Sequence, residues 1–192
     1  MRFHGVLGED SSDAEALACL VRRLREDRGL RRIKVKSHGY EGCGELFRKG
    51  AKQLKAWQTA GCVRAIVCYD ADTDNPEERK QRVLREIIRA SGVRISCFPV
   101  VPVQEIEAWF HADIEKLREL FNWCRGLRQE NHPESINNPK EALRRLSRHP
   151  VTGHFHYHPP THNKFMAECV DLGLVERRCP SFAALAAFVR SE

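Results

Sequence analysis

The sequence predicts an α/β fold: a mostly parallel four-stranded sheet flanked by helices, followed by a helical C-terminal extension. Three observations predict it. Short apolar runs alternate with helix-period segments up to about residue 110. One run, Val63-Arg64-Ala65-Ile66-Val67-Cys68-Tyr69, is almost continuously apolar, as a strand covered on both faces is. After Trp109 the pattern turns to helices alone. The expected division is residues 1–112 as a sheet domain and residues 113–192 as helices packed on it.

Phe3 to Leu7 reads as the first strand and runs into Gly8-Glu9-Asp10. Ser12-x-x-Glu15 has the form of a capping box, so a helix is expected from about Asp13, with Ala14, Leu17, Leu20, Val21 and Leu24 on one face. Ile33 to Lys36 alternates as a half-buried strand, Gly39 to Gly44 makes a loop, and a second helix is expected over Glu45 to Thr59. The Val63–Tyr69 strand ends in Asp70-Ala71-Asp72-Thr73-Asp74. Pro76 suits the first turn of a third helix, and Val93 to Val101 is a fourth strand. Further helices are expected over 114–121, 140–146, 163–171 and 182–189. A polar stretch at 128–138 and a His/Pro-rich loop at 149–162 join them.

Composition narrows the class. The chain of 192 residues has 42% hydrophobic and 30% charged residues, which excludes wholesale disorder. No apolar run approaches the length of a membrane span, and the N-terminus lacks the apolar stretch of a signal peptide. The eight cysteines sit largely inside apolar segments, with no CxxC pair, and read as reduced thiols of a cytoplasmic protein.

In an open parallel sheet, ligands bind outside the carboxyl ends of the strands, and acidic residues gather there. Glu9 ends strand one, and Asp13 lies in the next helix's first turn. Asp70 and Asp72 end strand three, and Glu105 and Glu107 follow strand four. Carboxylates at one edge repel one another, and a divalent cation relieves that repulsion. Mg²⁺ or Mn²⁺ favours such oxygen donors, and a two-metal site suits phosphodiester hydrolysis. Each residue also has an ordinary role. Asp13 favours the helix dipole, Asp72 and Asp74 cap a turn, and Glu107 decorates a solvated face beside a core Trp109. Asp70, directly after a buried run, has the least use for one.

At these residues the chain resembles the Toprim family, the metal-binding α/β module of type IA topoisomerases, bacterial primases and nucleases of the OLD (overcoming lysogenization defect) type. That family's Glu after strand one is matched by Glu9, and its DxD after strand three by Asp70-Ala71-Asp72. The OLD-type nucleases add an acidic residue matched by Asp13, a further Glu for which Glu105 and Glu107 compete, and a downstream Lys near the scissile phosphate, for which Lys164 is the candidate. The segments Val103–Asp113, with Glu105-Ile106-Glu107-Ala108-Trp109 at its centre, Asn138-Pro139-Lys140 and Cys179-Pro180-Ser181-Phe182 resemble a Toprim-like family of unknown function catalogued as 4276. Its members often lie in bacterial defence or mobile loci beside an ATPase. One departure is the Gly that usually follows the first Glu, which is Asp10 here. The resemblance implies a Toprim-like fold, a nuclease using Mg²⁺ or Mn²⁺ held by Glu9, Asp13, Asp70, Asp72 and Glu105 or Glu107, and an ATPase partner.

Charge fits a nucleic-acid partner. With 32 Lys+Arg against 26 Asp+Glu the net charge is +6. Arg22, Arg23, Arg25, Arg28, Arg31, Arg32, Lys34 and Lys36 form a basic block, echoed at Arg79–Arg85 and at Arg144, Arg145 and Arg148. Such a surface attracts phosphates without sequence preference, although solvated helix faces look alike. His154, His156 and His158 alternate, with His149 and His162 nearby; imidazoles so placed can hold Zn²⁺, yet no four-ligand spacing appears. The expected function is a metal-dependent nuclease acting on DNA or RNA, with room for an oligomer and no membrane partner. The alternative is a catalytically idle Toprim-fold subunit that binds nucleic acid or an ATPase. A haloacid-dehalogenase-type phosphatase would want Thr or Val where Asp74 stands, and a phospho-receiver would want a fifth strand with its Lys.

Overall fold

The computed structural model describes residues 1–123 and 130–191. Four strands, β1 (Phe3–Gly8), β2 (Lys34–Gly39), β3 (Cys62–Cys68) and β4 (Ser96–Val100), form one sheet in the order β2-β1-β3-β4. Every pairing is parallel. Central β1 is buried along its whole length, whereas edge strand β2 leaves Lys34, Ser37 and His38 exposed. Helices α1 (Ser11–Asp27) and α2 (Cys43–Thr59) follow β1 and β2. After β3 comes α3 (Pro76–Val83), which widens into a π-helical turn over Leu84–Arg89. Among the described residues, no helix is long and apolar enough to cross a membrane.

α1 starts two residues before the expected position, because its cap is Asp10 rather than Ser12. The Asp10 carboxylate accepts from the backbone N–H of Asp13 at 2.9 Å. Asp10 is extended, with φ −135°, so no glycine is needed after Glu9. β4 is shorter than the predicted 93–101, since Arg94 N–H turns away to donate to Gln58.

The C-terminal part adds α4 (Glu107–Phe110), α5 (Ile114–Leu120), α6 (Pro139–Leu146), α7 (Pro159–Cys169), α8 (Leu172–Arg178) and α9 (Pro180–Arg190). α4 and α8 were not predicted as separate helices. The cap at Asp171, whose side chain accepts from Leu174 N–H, starts α8 where the sequence pattern ended its predecessor. The predicted loop over 149–162 is cut short by Pro159 at the first turn of α7. The predicted polar stretch at 128–138 falls partly on 124–129, outside the described residues, as does Cys124; its later part holds a short 3₁₀ turn over Pro133–Ser135.

Two cores cover the sheet. On one face Leu46, Leu54, Trp57 and Ile87 pack against Leu7 and Val67. On the other, Leu17, Leu20 and Leu24 of α1 share a core with Trp109, Met166, Phe182 and Val189, so α7 and α9 close over α1. Arg23 donates to the carbonyls of Ala167 and Val170 at 2.8 and 2.7 Å and thereby serves the end of α7. Cys19, Cys43, Cys62, Cys68, Cys97, Cys169 and Cys179 are all free thiols; Cys43 alone of these is exposed.

Gly39, where β2 ends, sets the position of the loop after β1. A Cβ there would stand 2.2 Å from the Asp10 carbonyl carbon and the Ser11 nitrogen, both backbone atoms. Gly39→Ala is therefore expected to displace the Glu9–Asp10 loop and to lower stability by about 1–3 kcal/mol, the usual cost of overpacking. A wild-type denaturant midpoint would count against that close approach.

Candidate functional site

Three chain crossings deliver acids to one end of the sheet. Glu9 leaves β1 in a turn tied down on both sides: Tyr40 N–H donates to the Gly8 carbonyl and Gly42 N–H to the Glu9 carbonyl. Its side chain reaches across to β3, where Oε1 accepts from Asp70 N–H at 2.9 Å. Beyond β3 the chain stays zipped to the segment after β4: Ala71 N–H donates to Pro102 and Asp72 N–H to Gln104, each at 3.0 Å. That pairing sets Asp70-Ala71-Asp72 beside the approach to Glu105. Asp72 takes a left-handed conformation, φ 51°, which directs the turn to Asp74 and lets Arg79 approach both carboxylates, at 3.7 and 2.7 Å.

The sequence offered Glu105 and Glu107 as competitors; the structure brings in both, in different ways. Glu107, in the single turn of α4, is fully buried. Asn163 of α7 uses one amide nitrogen to donate to Asp13 Oδ1 at 3.2 Å and to Glu107 Oε1 at 3.0 Å. Those two carboxylates therefore lie within two hydrogen-bond lengths of each other. Tyr157 shares its hydroxyl between Glu107 Oε1, 3.1 Å away, and Asn163 Oδ1. Glu105 is turned toward α6: its Oε2 accepts from Lys140 N–H at 3.1 Å at the positive end of that helix, and its Oε1 lies 3.3 Å from Lys140 Nζ. Lys140 Nζ is also 3.7 Å from Glu107 Oε1.

Lys140 is placed by a built support. Asn138 is left-handed, φ 51°, Pro139 opens α6, and the Pro139 carbonyl is hydrogen-bonded by buried His111 Nε2 at 3.0 Å. The lysine the sequence favoured does not join the group. Lys164 is exposed on α7, and among the described residues no hydrogen bond or ion pair ties it to a carboxylate; its neighbour Asn163 is the inward residue. The reason is helical geometry, since successive residues point about 100° apart. The solvated reading of Glu107 fails for the same kind of reason: α4 lies under α6 and α7 rather than at the surface.

Lys140, Tyr157 and Asn163 went unrecognised as site residues. The Asn138-Pro139-Lys140 segment was visible as a motif, and a Pro at the first turn of a helix was a usable sign of a fixed lysine beside it. Nothing local marks Tyr157, which lies among histidines. Those histidines split into two groups: His149 and His156 meet each other at 5.9 Å between ring centres and pack on Trp123, while His162 turns back on His158. Among the described residues, no three acidic, histidine or cysteine side chains stand as a ready chelating group.

The electrostatics follow from burial and like charge. Burial, then Glu107 and Asp10, push the Asp13 carboxyl well up, against the pull of Lys140. Burial, then Asp13, Glu107 and Glu9, push Asp70 well up. Burial also raises Glu107, Glu9 and Asp72. Burial disfavours the Lys140 ammonium, but Glu107, Asp13 and Glu105 outweigh it and hold that group firmly protonated. Tyr157 is held protonated by burial and by Glu107, so it acts as a donor.

These shifts set a pH dependence. A carboxyl raised in the folded chain holds a proton that the unfolded chain releases, so its stability contribution is complete below the ordinary carboxylate range and is lost as pH rises through the folded value. Five groups act in this direction, opposed in the same window by buried His111, whose burial lowers its affinity for a proton. The lowered Glu45, Glu77 and Glu86 act only below their ordinary 4.5. In EDTA the melting temperature is expected to rise as pH falls from neutral toward about 5, contrary to the usual acid trend. A monotonic fall over that range would show the cluster to be uncoupled from stability.

The donor set is all oxygen, and Glu107 Oε2 is buried with no hydrogen-bond partner, so the residues present fit a hard divalent cation. A family model described as domain of unknown function, DUF4276, matches residues 8–190. No curated protein and no solved structure matches the chain. Every acid in the cluster, with Lys140, Tyr157 and Asn163, lies inside the matched span, and the chain belongs to the DUF4276 family.

Proposed function

We propose that the chain is a Mg²⁺- or Mn²⁺-dependent nuclease, Toprim-like in its site, that hydrolyses phosphodiester bonds of DNA or RNA. The observation that carries this reading is the approach of two acid pairs, Glu9 with Asp70 and Asp13 with Glu107, at the carboxyl end of a parallel sheet, near enough for Asp13 and Glu107 to raise Asp70, with one buried Glu107 oxygen lacking a partner. Glu9, Asp70 and Asp72 would hold one cation, and Asp13, Glu107 and Glu105 would hold or orient a second. A bound divalent cation supplies an activated water and neutralises charge on the leaving oxygen. The chain's own residues do the rest. Asn163 fixes the spacing of Asp13 and Glu107, Tyr157 directs its hydroxyl to Glu107 and Asn163, and Lys140 would offer positive charge where a phosphate oxygen approaches. Lys164, exposed beside Asn163, would meet the phosphate backbone rather than the carboxylates.

The nucleic-acid side of the reading has its own support. Phe155 is 45% exposed two residues before Tyr157, with the Arg144 guanidinium 4.8 Å and that of Arg148 5.9 Å from its ring centre. An open ring flanked by arginines stacks an unpaired base and holds its phosphates. Phe155→Ala is expected to weaken binding of a fluorescent single-stranded oligonucleotide by about tenfold, within the range for one stacked base. Unchanged anisotropy titrations would remove Phe155 from the interface.

The direct test is incubation of the purified chain with single- and double-stranded DNA and RNA in Mn²⁺, Mg²⁺ or EDTA, with and without an ATPase encoded beside it. Cleavage that needs the metal supports the nuclease. One observation favours the second reading, a catalytically idle subunit that binds nucleic acid or an ATPase: Lys140 already supplies a cation to Glu105 and Glu107. Binding without cleavage under every metal, with the partner present, would select it.

A further inference from the structure

The opposite end of the sheet holds a second concave feature of opposite sign. Arg2 precedes β1, Lys34 opens β2, Arg64 lies near the start of β3, Arg25 is in the last turn of α1, and Arg31 and Arg32 lead into β2. Together with Ile33 and Val63 they line a cavity of about 610 Å³. Five arginines and one lysine line it, and Glu26 joins several of them around the adjoining recess. With β1 six residues long, this cavity is about 20 Å from the acidic end.

The walls are built rather than draped. Arg25 is almost wholly buried, and its Nη2 donates to the Arg31 carbonyl at 2.8 Å. The turn after α1 closes on itself through Gly29 N–H to Glu26 and Leu30 N–H to Arg25, with Gly29 at φ 67°, and so presents Arg31 and Arg32 outward. Arg64 donates to the Phe188 carbonyl at 2.7 Å and to Ser191 Oγ at 3.0 Å, with its guanidinium 4.0 Å over the Phe188 ring. Arg2, Arg31, Arg32 and Lys34 bring like charges to one hollow, and a multiply charged anion relieves their repulsion. Guanidinium forks match phosphate oxygens in pairs. The volume is that of a small-molecule site, roughly 300–1,000 Å³. Ile33 and Val63 offer an apolar strip for a ring.

We propose that this cavity binds a nucleoside di- or triphosphate, with the phosphates among Arg31, Arg32 and Lys34 and the base against Ile33 and Val63. The site is independent of the nuclease reading, because it needs no metal and lies at the other end of the sheet.

Calorimetric titration of the full chain with ATP, ADP and pyrophosphate in EDTA tests it, since EDTA removes any metal-bridged binding at the acidic end. Saturable one-to-one binding of ATP is expected, with pyrophosphate weaker. The exposed pair Arg31→Glu and Arg32→Glu, changed together, should weaken ATP by at least about tenfold, the effect of losing one charge-assisted hydrogen bond. Circular dichroism and melting of that variant should match wild type. Absence of ATP binding, an unchanged affinity in the folded variant, or pyrophosphate binding as tightly as ATP would overturn the proposal. So would a single-stranded oligonucleotide that occupies this face and is not displaced by ATP, which would make it a track for a phosphate backbone.

Discussion

Asp70→Asn is expected to abolish metal-dependent cleavage while raising the melting temperature of the metal-free chain. The two effects have one cause. Asp70 follows the buried β3 and is pushed up by burial and by the charges of Asp13, Glu107 and Glu9. An amide of the same shape removes one negative charge from that group and relieves the repulsion, worth a few degrees of melting temperature in EDTA at about 2–4 °C per kcal/mol for a chain of this size. The same change removes a charged oxygen donor from the expected cation. Changes merely behind a metal ligand already cost about 10–100-fold, so a direct donor should cost at least a hundredfold in rate. Paired melts and cleavage assays check both halves. A variant that cleaves normally, or melts lower in EDTA with its cleavage intact, would mean that Asp70 is a structural acid.

The second large effect is expected at Lys140. Its ammonium lies 3.3 Å from Glu105 and 3.7 Å from buried Glu107, and its backbone N–H binds Glu105 as well. Lys140→Met keeps the length and apolar stem of the side chain but leaves Glu107 without a cation. Breaking a fully buried ion pair costs about 3–5 kcal/mol; Lys140 is itself 37% exposed, which brings the expectation to about 2–3 kcal/mol. In EDTA that is a fall of roughly 5–10 °C. Saturating Mn²⁺ should recover most of it, because a divalent ion compensates the same carboxylates. A fall of equal size with and without Mn²⁺ would make Lys140 a packing residue with no electrostatic link to the acids.

The sheet and the acids at its carboxyl end were legible because they follow from period and topology. The unbroken apolar run before Asp70 marks a central strand, and a strand parallel to β1 must release its next residues at the same edge as Glu9. Boundaries were less legible where two signals competed. Ser12 and Asp10 are both residue types that suit a helix cap; in the fold Asp10 takes it, with Gly39 of the neighbouring strand close against the Asp10 backbone. The residues that complete the site were hidden for another reason. Asn163 and Lys164 are neighbours with equal claims to a phosphate, and the choice depends on how α7 is rotated against α1. Tyr157 reads as part of an exposed histidine loop until Ser147, through its hydroxyl, accepts from the backbone N–H of both His156 and Tyr157 and turns the phenol inward.

The bridge from Asn163 to Asp13 and Glu107 joins residues that lie 150 and 56 positions apart. The cluster is thus a seam, stitched from both halves of the polypeptide. A protease cut between Ala112 and Asp113, followed by separation of the pieces, would deprive Asp13 and Glu107 of Lys140, Tyr157 and Asn163, and leave those three facing water. Neither piece would keep the cluster intact by itself.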